Sequence, residues 1–200
     1  MSAGLGGGSS DAAATLRGLN VLWGLNWNRE RLADVAASVS SDAPFFMYGG
    51  TALVRGRGEL IKPLDDSPPV DLVLLVPPVD MGGKTARMFG SLTASDFSDG
   101  SLTEQLLGRL GAGNAPRNGE MFNAFESGAY RTWPELAAYR RILLDAGAAR
   151  VHLAGSGPTL FAIAPSSAGE PRMTEGGLLS PRLLAMTRTI GRNEALGRDG

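Results

Sequence analysis

The chain contains no cysteine, which excludes a disulfide framework, a thiolate nucleophile and any cysteine-based metal site. It has a single histidine, His152, so a histidine-rich metal site is not expected either. Only two of its 19 basic residues are lysines, Lys62 and Lys84, which limits where a catalytic ammonium could sit. Charge of one sign is missing too: 19 basic residues face 20 acidic ones, for a net charge of −1. That excludes a chain-wide electrostatic footprint for nucleic acid, and no nucleic-acid partner is expected. The longest apolar run, Leu72 to Val76 with its flanks, falls far short of the roughly 20 residues needed to span a bilayer, so no membrane partner is expected. The N-terminus shows no basic region followed by an apolar one, hence no secretory signal. These absences suit a cytoplasmic protein. What is abundant is glycine and proline, 28 and 12 of 200 residues, above the usual share of about 12%. Tight turns and loops that approach a ligand closely follow from that.

The length allows one generous domain or two small ones. From Asp11, an alanine run with Leu16, Leu19 and Trp23 at helical spacing predicts a helix, with Ser9 or Ser10 as its N-cap, Asp11 in its first turn and a stop at Gly24. Asn28 caps a second helix bearing Leu32, Val35, Ala36 and Val39. Phe45 to Arg55 reads as a strand pair broken at Gly49-Gly50. Residues 62–69 read as a linker, dividing the chain into domains 1–61 and 70–190. Beyond it the pattern predicts a strand at DLVLLV, a short helix at 84–90, a loop at 91–101, a helix at 102–110 and a helical pair over 120–146 kinked near Trp133-Pro134. Strands are expected at 150–153, 159–163 and 183–190. The tail over 166–177 carries few apolar residues where a packed helix would be expected. Helices and strands alternate without βαβ regularity, so the fold class is α+β.

The chemistry-bearing feature is Ser2, Ala3, Gly4, Leu5, Gly6, Gly7, Gly8, Ser9, Ser10 at the start of the first helix. Glycines let backbone N–H groups turn toward an anion and let phosphate approach without a Cβ in the way. A helix start adds unpaired N–H groups and partial positive charge. The same composition also fits a flexible tail ending in a helix cap. The segment is neither a Walker A loop nor a dinucleotide fingerprint: Gly4 and Gly6 open the latter, but Ser9 stands where its closing glycine belongs. Gly83-Lys84-Thr85 imitates the end of a Walker A loop, but Pro78 occupies its first glycine position. Asp42, ahead of Pro44, reads on pattern alone as a turn residue. His152 alternates with Val151 and Leu153 in a strand, as a structural histidine would, and Trp23, Trp27 and Trp133 read as core or interface residues.

SAGLGGGSSDAAA at residues 2–14 resembles the second signature of the GHMP small-molecule kinases. Ser41-Asp42-Ala43-Pro44-Phe45-Phe46 is similar to the acidic motif of one branch, whose acceptor is a cytidine-diphosphate methylerythritol in non-mevalonate isoprenoid biosynthesis. Ala154-Gly155-Ser156-Gly157-Pro158-Thr159 is similar to the family's third, C-terminal glycine motif, and Asn123 within MFNAFE fits a family-like helix. The resemblance implies transfer of the ATP γ-phosphoryl group to a hydroxyl of that small-molecule substrate. It implies two domains, a partial ribosomal protein S5 domain 2-like one and a ferredoxin-like one. By the same resemblance Ser2 to Ser10 would wrap the ATP phosphates, and Ser9 or Ser10 would ligate Mg²⁺. Asp42 would be the catalytic base, and Gly155, Ser156 and Gly157 would form a substrate or phosphate loop.

Family members carry a substantial stretch before the position of Met1, including a catalytic lysine that neither Lys62 nor Lys84 matches. The expectation is a fragment of the kinase, inactive by itself. The alternatives are another GHMP kinase, such as homoserine or mevalonate kinase, or a non-catalytic nucleotide-binding remnant.

Overall fold

The computed structural model describes residues 3–164 and 182–197; the expectations for Ser2 and for the tail over 166–177 lie outside them. Among these residues the chain forms two compact units. A helical unit takes Gly6–Pro68 together with residues 190–197, and a sheet unit takes Ala3–Leu5 and Pro69–Thr189.

The helical unit opens with α1 (Gly7–Leu22), α2 (Arg29–Val39) and α3 (Phe45–Tyr48). Asn28 caps α2 by accepting the Arg31 N–H at 2.9 Å. α1 starts four residues earlier than the sequence suggests. Its N-cap is Gly6 in the left-handed region, φ 72°, and no side chain caps it. Ser9 and Ser10 therefore lie inside the first turn, and Asp11 lies beyond it. The expected strand from Phe45 is also corrected, because Phe45–Tyr48 is helical. Pro44, at φ −56°, presets a helical turn, and Met47 drops into the core at 2% exposure. The hairpin lies further on: β1 (Ala52–Arg55) pairs antiparallel with β2 (Leu60–Pro63), so Lys62 and Pro63 are strand residues rather than linker. A last helix, α8 (Arg192–Leu196), ties back to this hairpin region. Asp66 accepts the Arg192 N–H at 2.7 Å, and the Arg192 guanidinium donates to the Leu64 carbonyl at 2.8 Å. The unit's buried core is small, being Ala13, Leu32, Ala33, Ala36, Ala43 and Met47.

The sheet unit is built on four antiparallel strands in the order β4 (His152–Leu153), β5 (Leu160–Ile163), β3 (Asp71–Val76), β6 (Leu183–Arg188). β3 lies between β5 and β6, with Leu75 opposite both Leu160 and Leu184. Alternation puts Val73 and Leu75 on the buried face. Their cover comes from α4 (Lys84–Gly90), α6 (Phe125–Thr132) and α7 (Leu136–Asp145). α7 buries Leu136, Tyr139 and Leu143, spaced three and four apart. α6 and α7 are separated at Trp133, which is buried and stacked under the Arg87 guanidinium at 4.6 Å. α5 (Ser101–Gly111) buries none of its residues. A short 3₁₀ turn at Ala94–Asp96 interrupts the segment expected to be loop. The fold class is α+β, as the sequence implies.

Candidate functional site

In the sheet unit, Ala3–Leu5 of the first glycine segment lie against the second. The Thr159 N–H donates to the Ala3 carbonyl at 3.3 Å. Gly4 sits at φ +84°, and a Cβ there would come within 2.4 Å of the Ala154 carbonyl oxygen and 2.7 Å of that of Gly157. Only glycine fits such an approach. Gly155 and Gly157 also hold positive φ, and a Cβ on Gly155 would lie 3.0 Å from the Gly4 oxygen. Asn123, just before α6, clamps this loop: its amide donates to the Leu153 carbonyl at 2.9 Å and to that of Gly155 at 2.8 Å. The Lys84 ammonium, buried at the start of α4, donates to the Gly157 carbonyl. Burial pushes the pKa of Lys84 down. Thr159 is fully buried, and its hydroxyl has no hydrogen-bond partner among the described residues.

In the helical unit, the start of α1 presents the amides of Gly7, Gly8 and Ser9. The first intrahelical bond here runs from the Ser10 N–H to the Gly6 carbonyl at 2.9 Å. The three preceding amides have no acceptor within the helix, and no side chain caps them. Gly7 and Gly8 are exposed, and a Cβ on either would meet nothing within 4 Å. Gly6 differs, for a Cβ there would lie 3.0 Å from the Phe46 ring. Ser10 donates its hydroxyl to the Gly7 carbonyl at 2.8 Å. The Ser9 and Ser40 hydroxyls pair at 2.9 Å, and Ser40 Oγ also accepts the Ala43 N–H at 3.1 Å. This joins the first turn of α1 to the turn that carries Asp42, which is exposed. Leu5, which belongs to the sheet unit, is about half exposed.

Three of these residues escaped sequence reading as parts of the site. Ser40 carries no motif. Lys84 was set aside as a false Walker lysine, although Gly83 at φ 63° caps α4 so that Lys84 enters in its first turn. Asn123 fitted a helix pattern, but its grip on the loop depends on a partner 30 residues away in the chain.

His152 is buried and stacked on Phe161 with ring centroids 5.3 Å apart, and its Nε2 lies 3.3 Å from Asn118 Oδ1. Burial, reinforced by the nearby Arg150 charge, pushes its pKa down to about 4, so the ring is neutral at pH 7. Among the described residues no group of three or more His, Cys, Asp or Glu is placed to hold a metal ion, and no helix is long and apolar enough to cross a membrane. A metal at α1 would therefore have to be held by ligand oxygens and serine hydroxyls. The hydroxyl oxygens of Ser9 and Ser10 keep lone pairs for that purpose. The uncapped amides beside them suit an anion.

Comparison with known proteins matches residues 1–50 to the N-terminal domain of GHMP kinases and residues 102–173 to their C-terminal domain. The chain belongs to the GHMP kinase family. It is 47% identical over 161 residues to the 4-diphosphocytidyl-2-C-methyl-D-erythritol kinase of Dehalococcoides mccartyi, covering 80% of this chain and 56% of that one. It is 39% identical to the enzyme of that name from Shouchella clausii, covering 88% and 59%. A solved 4-(cytidine 5'-diphospho)-2C-methyl-D-erythritol kinase superposes with a TM-score of 0.66 at 35% identity, over 81% of this chain and 57% of that one. A homoserine kinase from Cytophaga hutchinsonii gives a TM-score of 0.63 at 20% identity, over 94% and 66%, a likeness of fold alone. The chain thus has the two-domain architecture of GHMP kinases and spans a little over half the length of the curated relatives it matches.

Proposed function

We propose that this chain carries the phosphate-handling machinery of an ATP-dependent kinase acting on a hydroxyl of 4-diphosphocytidyl-2-C-methyl-D-erythritol, in isoprenoid biosynthesis. The observation that carries the reading is the start of α1, where three amides lack an intrahelical acceptor and two glycines leave the approach open. The relatives' names supply the substrate.

Phosphoryl transfer asks a protein mainly for positioning and charge stabilisation. In this reading the amides of Gly7, Gly8 and Ser9 hold the terminal phosphate oxygens of ATP. Asp42 takes the proton from the accepting hydroxyl as that oxygen bonds to the γ-phosphorus and ADP leaves. Ser9 or Ser10 would hold Mg²⁺, which supplies charge neutralisation at the phosphates when bound. Gly155, Ser156 and Gly157 are the second phosphate or substrate loop, with Lys84 and Asn123 fixing its carbonyls. The same reading puts the chain in the cytoplasm with a small-molecule substrate.

Gly7→Val tests it, since a Cβ at Gly7 would meet nothing within 4 Å. ATP binding, measured by calorimetry with Mg²⁺, should weaken at least tenfold while the melting temperature barely moves. Equal ATP binding by both proteins would remove the phosphate role of α1. A thermal-shift panel of 4-diphosphocytidyl-2-C-methyl-D-erythritol, homoserine and mevalonate should then show stabilisation by the first compound alone.

A further inference from the structure

The sheet unit contains a cavity of about 490 Å³ that the proposed kinase chemistry does not use. Phe122, Asn123, Glu126, Tyr130, Arg140 and Arg150 line it. Among the described residues Arg140, on α7, makes no hydrogen bond or close ion pair, and its charge acts on Glu126 and Tyr130. Arg150 spends one N–H on the Asn118 carbonyl at 3.4 Å, and a guanidinium has five to give. The Tyr130 hydroxyl is buried and has no partner. Of the two nearby carboxylates, Asp96 is already consumed. Arg131 binds both of its oxygens, at 2.8 and 3.2 Å, and Ser127 and Thr93 donate to it as well. Glu126 is half-buried and accepts the Leu153 N–H at 3.4 Å. Two cations thus face one carboxylate, beside an unsatisfied phenolic donor. Phe122, about half exposed, adds an apolar surface.

We propose that this cavity binds a small organic phosphate. A phosphate monoester has three terminal oxygens and close to two negative charges, which matches two guanidinium groups and one hydroxyl better than a carboxylate does. Its organic part lies against the Phe122 ring. The site has a route to the second glycine loop. Asn123 lines the cavity and holds the Leu153 and Gly155 carbonyls, and Glu126 holds the Leu153 amide. An occupant therefore bears directly on the loop's backbone.

Phenyl phosphate is the probe, titrated calorimetrically into the 200-residue protein and its variants. The expected dissociation constant lies below about 1 mM. Arg140→Ala and Arg150→Ala should each weaken binding by roughly tenfold, and Tyr130→Phe by a few-fold. Both arginines reach solvent, so these variants should keep the wild-type melting temperature. Gly7→Val should leave phenyl phosphate binding unchanged, which separates this cavity from the amides of α1. Inorganic phosphate should bind about tenfold more weakly, since it gains nothing from Phe122. The proposal is overturned if the wild type does not bind phenyl phosphate at 10-fold that constant, about 10 mM. It is equally overturned if both arginine variants bind normally, or if Gly7→Val alone abolishes binding. Equal affinity for inorganic phosphate would overturn the organic component.

Discussion

The glycines at Gly4, Gly155 and Gly157 and those at Gly7 and Gly8 share a residue type but answer to different constraints. In the first group a Cβ would strike backbone or a core side chain at 2.4 to 3.0 Å. In the second it would strike nothing. The close-packed glycines are required by the protein's own structure. The open ones cost helix stability, because glycine is about 0.5–1 kcal/mol worse than alanine within a helix, and no internal contact returns that. A residue that destabilises its own helix and fills no tight space makes sense where something outside the chain must come close.

The largest departure should come from the close-packed set. Gly4→Val combines a branched side chain at φ +84° with backbone overlap and should cost about 3 kcal/mol or more, read as a lower calorimetric melting temperature. The strand leading into the same loop gives a pH-dependent version of this test. With the folded pKa of His152 lowered to about 4 against roughly 6.5 unfolded, the unfolded chain binds the extra proton in that window. Stability contributed by the neutral ring is complete above pH 6.5 and is lost as pH falls toward 4, by roughly 2–3 kcal/mol. Urea titrations should show the stabilities of wild type and His152→Gln diverging by this total amount between pH 6.5 and 4. An identical pH dependence of the two would show the ring to be solvated.

Asn123→Ala strips two loop carbonyls of their donor and should cost about 1–3 kcal/mol. Hydrogen exchange should speed up at residues 153–159 and not in α1. The smallest effect sharpens the comparison most. Gly8→Ala should raise stability by up to about 1 kcal/mol while weakening ATP binding. A stabilised variant that binds ATP as well as wild type would place Gly8 away from the ligand.

Much of the sheet unit was legible because its signals are local. Helical spacing marks α4, α5 and α7, and Trp133-Pro134 marks the break before α7. The helical unit was harder to read. The aromatic run Phe45–Tyr48 favours a strand by propensity, yet Pro44 and the burial of Met47 make it a helix. Gly7 and Gly8 read as loop because isolated glycine resists helix, while in the fold they form its first turn. The motifs singled out both glycine segments and Asp42 as candidates. They could not reveal that Ser9 meets Ser40, or that Lys84 and Asn123 hold the second loop, since those are pairings across 30 or more residues.

The far end of α1 has a practical consequence in solution. Val21, Leu22 and Trp23 stand 63–80% exposed on consecutive positions, so stock concentration should govern sample behaviour. Static light scattering should rise faster than linearly with protein content, and mild non-ionic surfactant should restore proportionality.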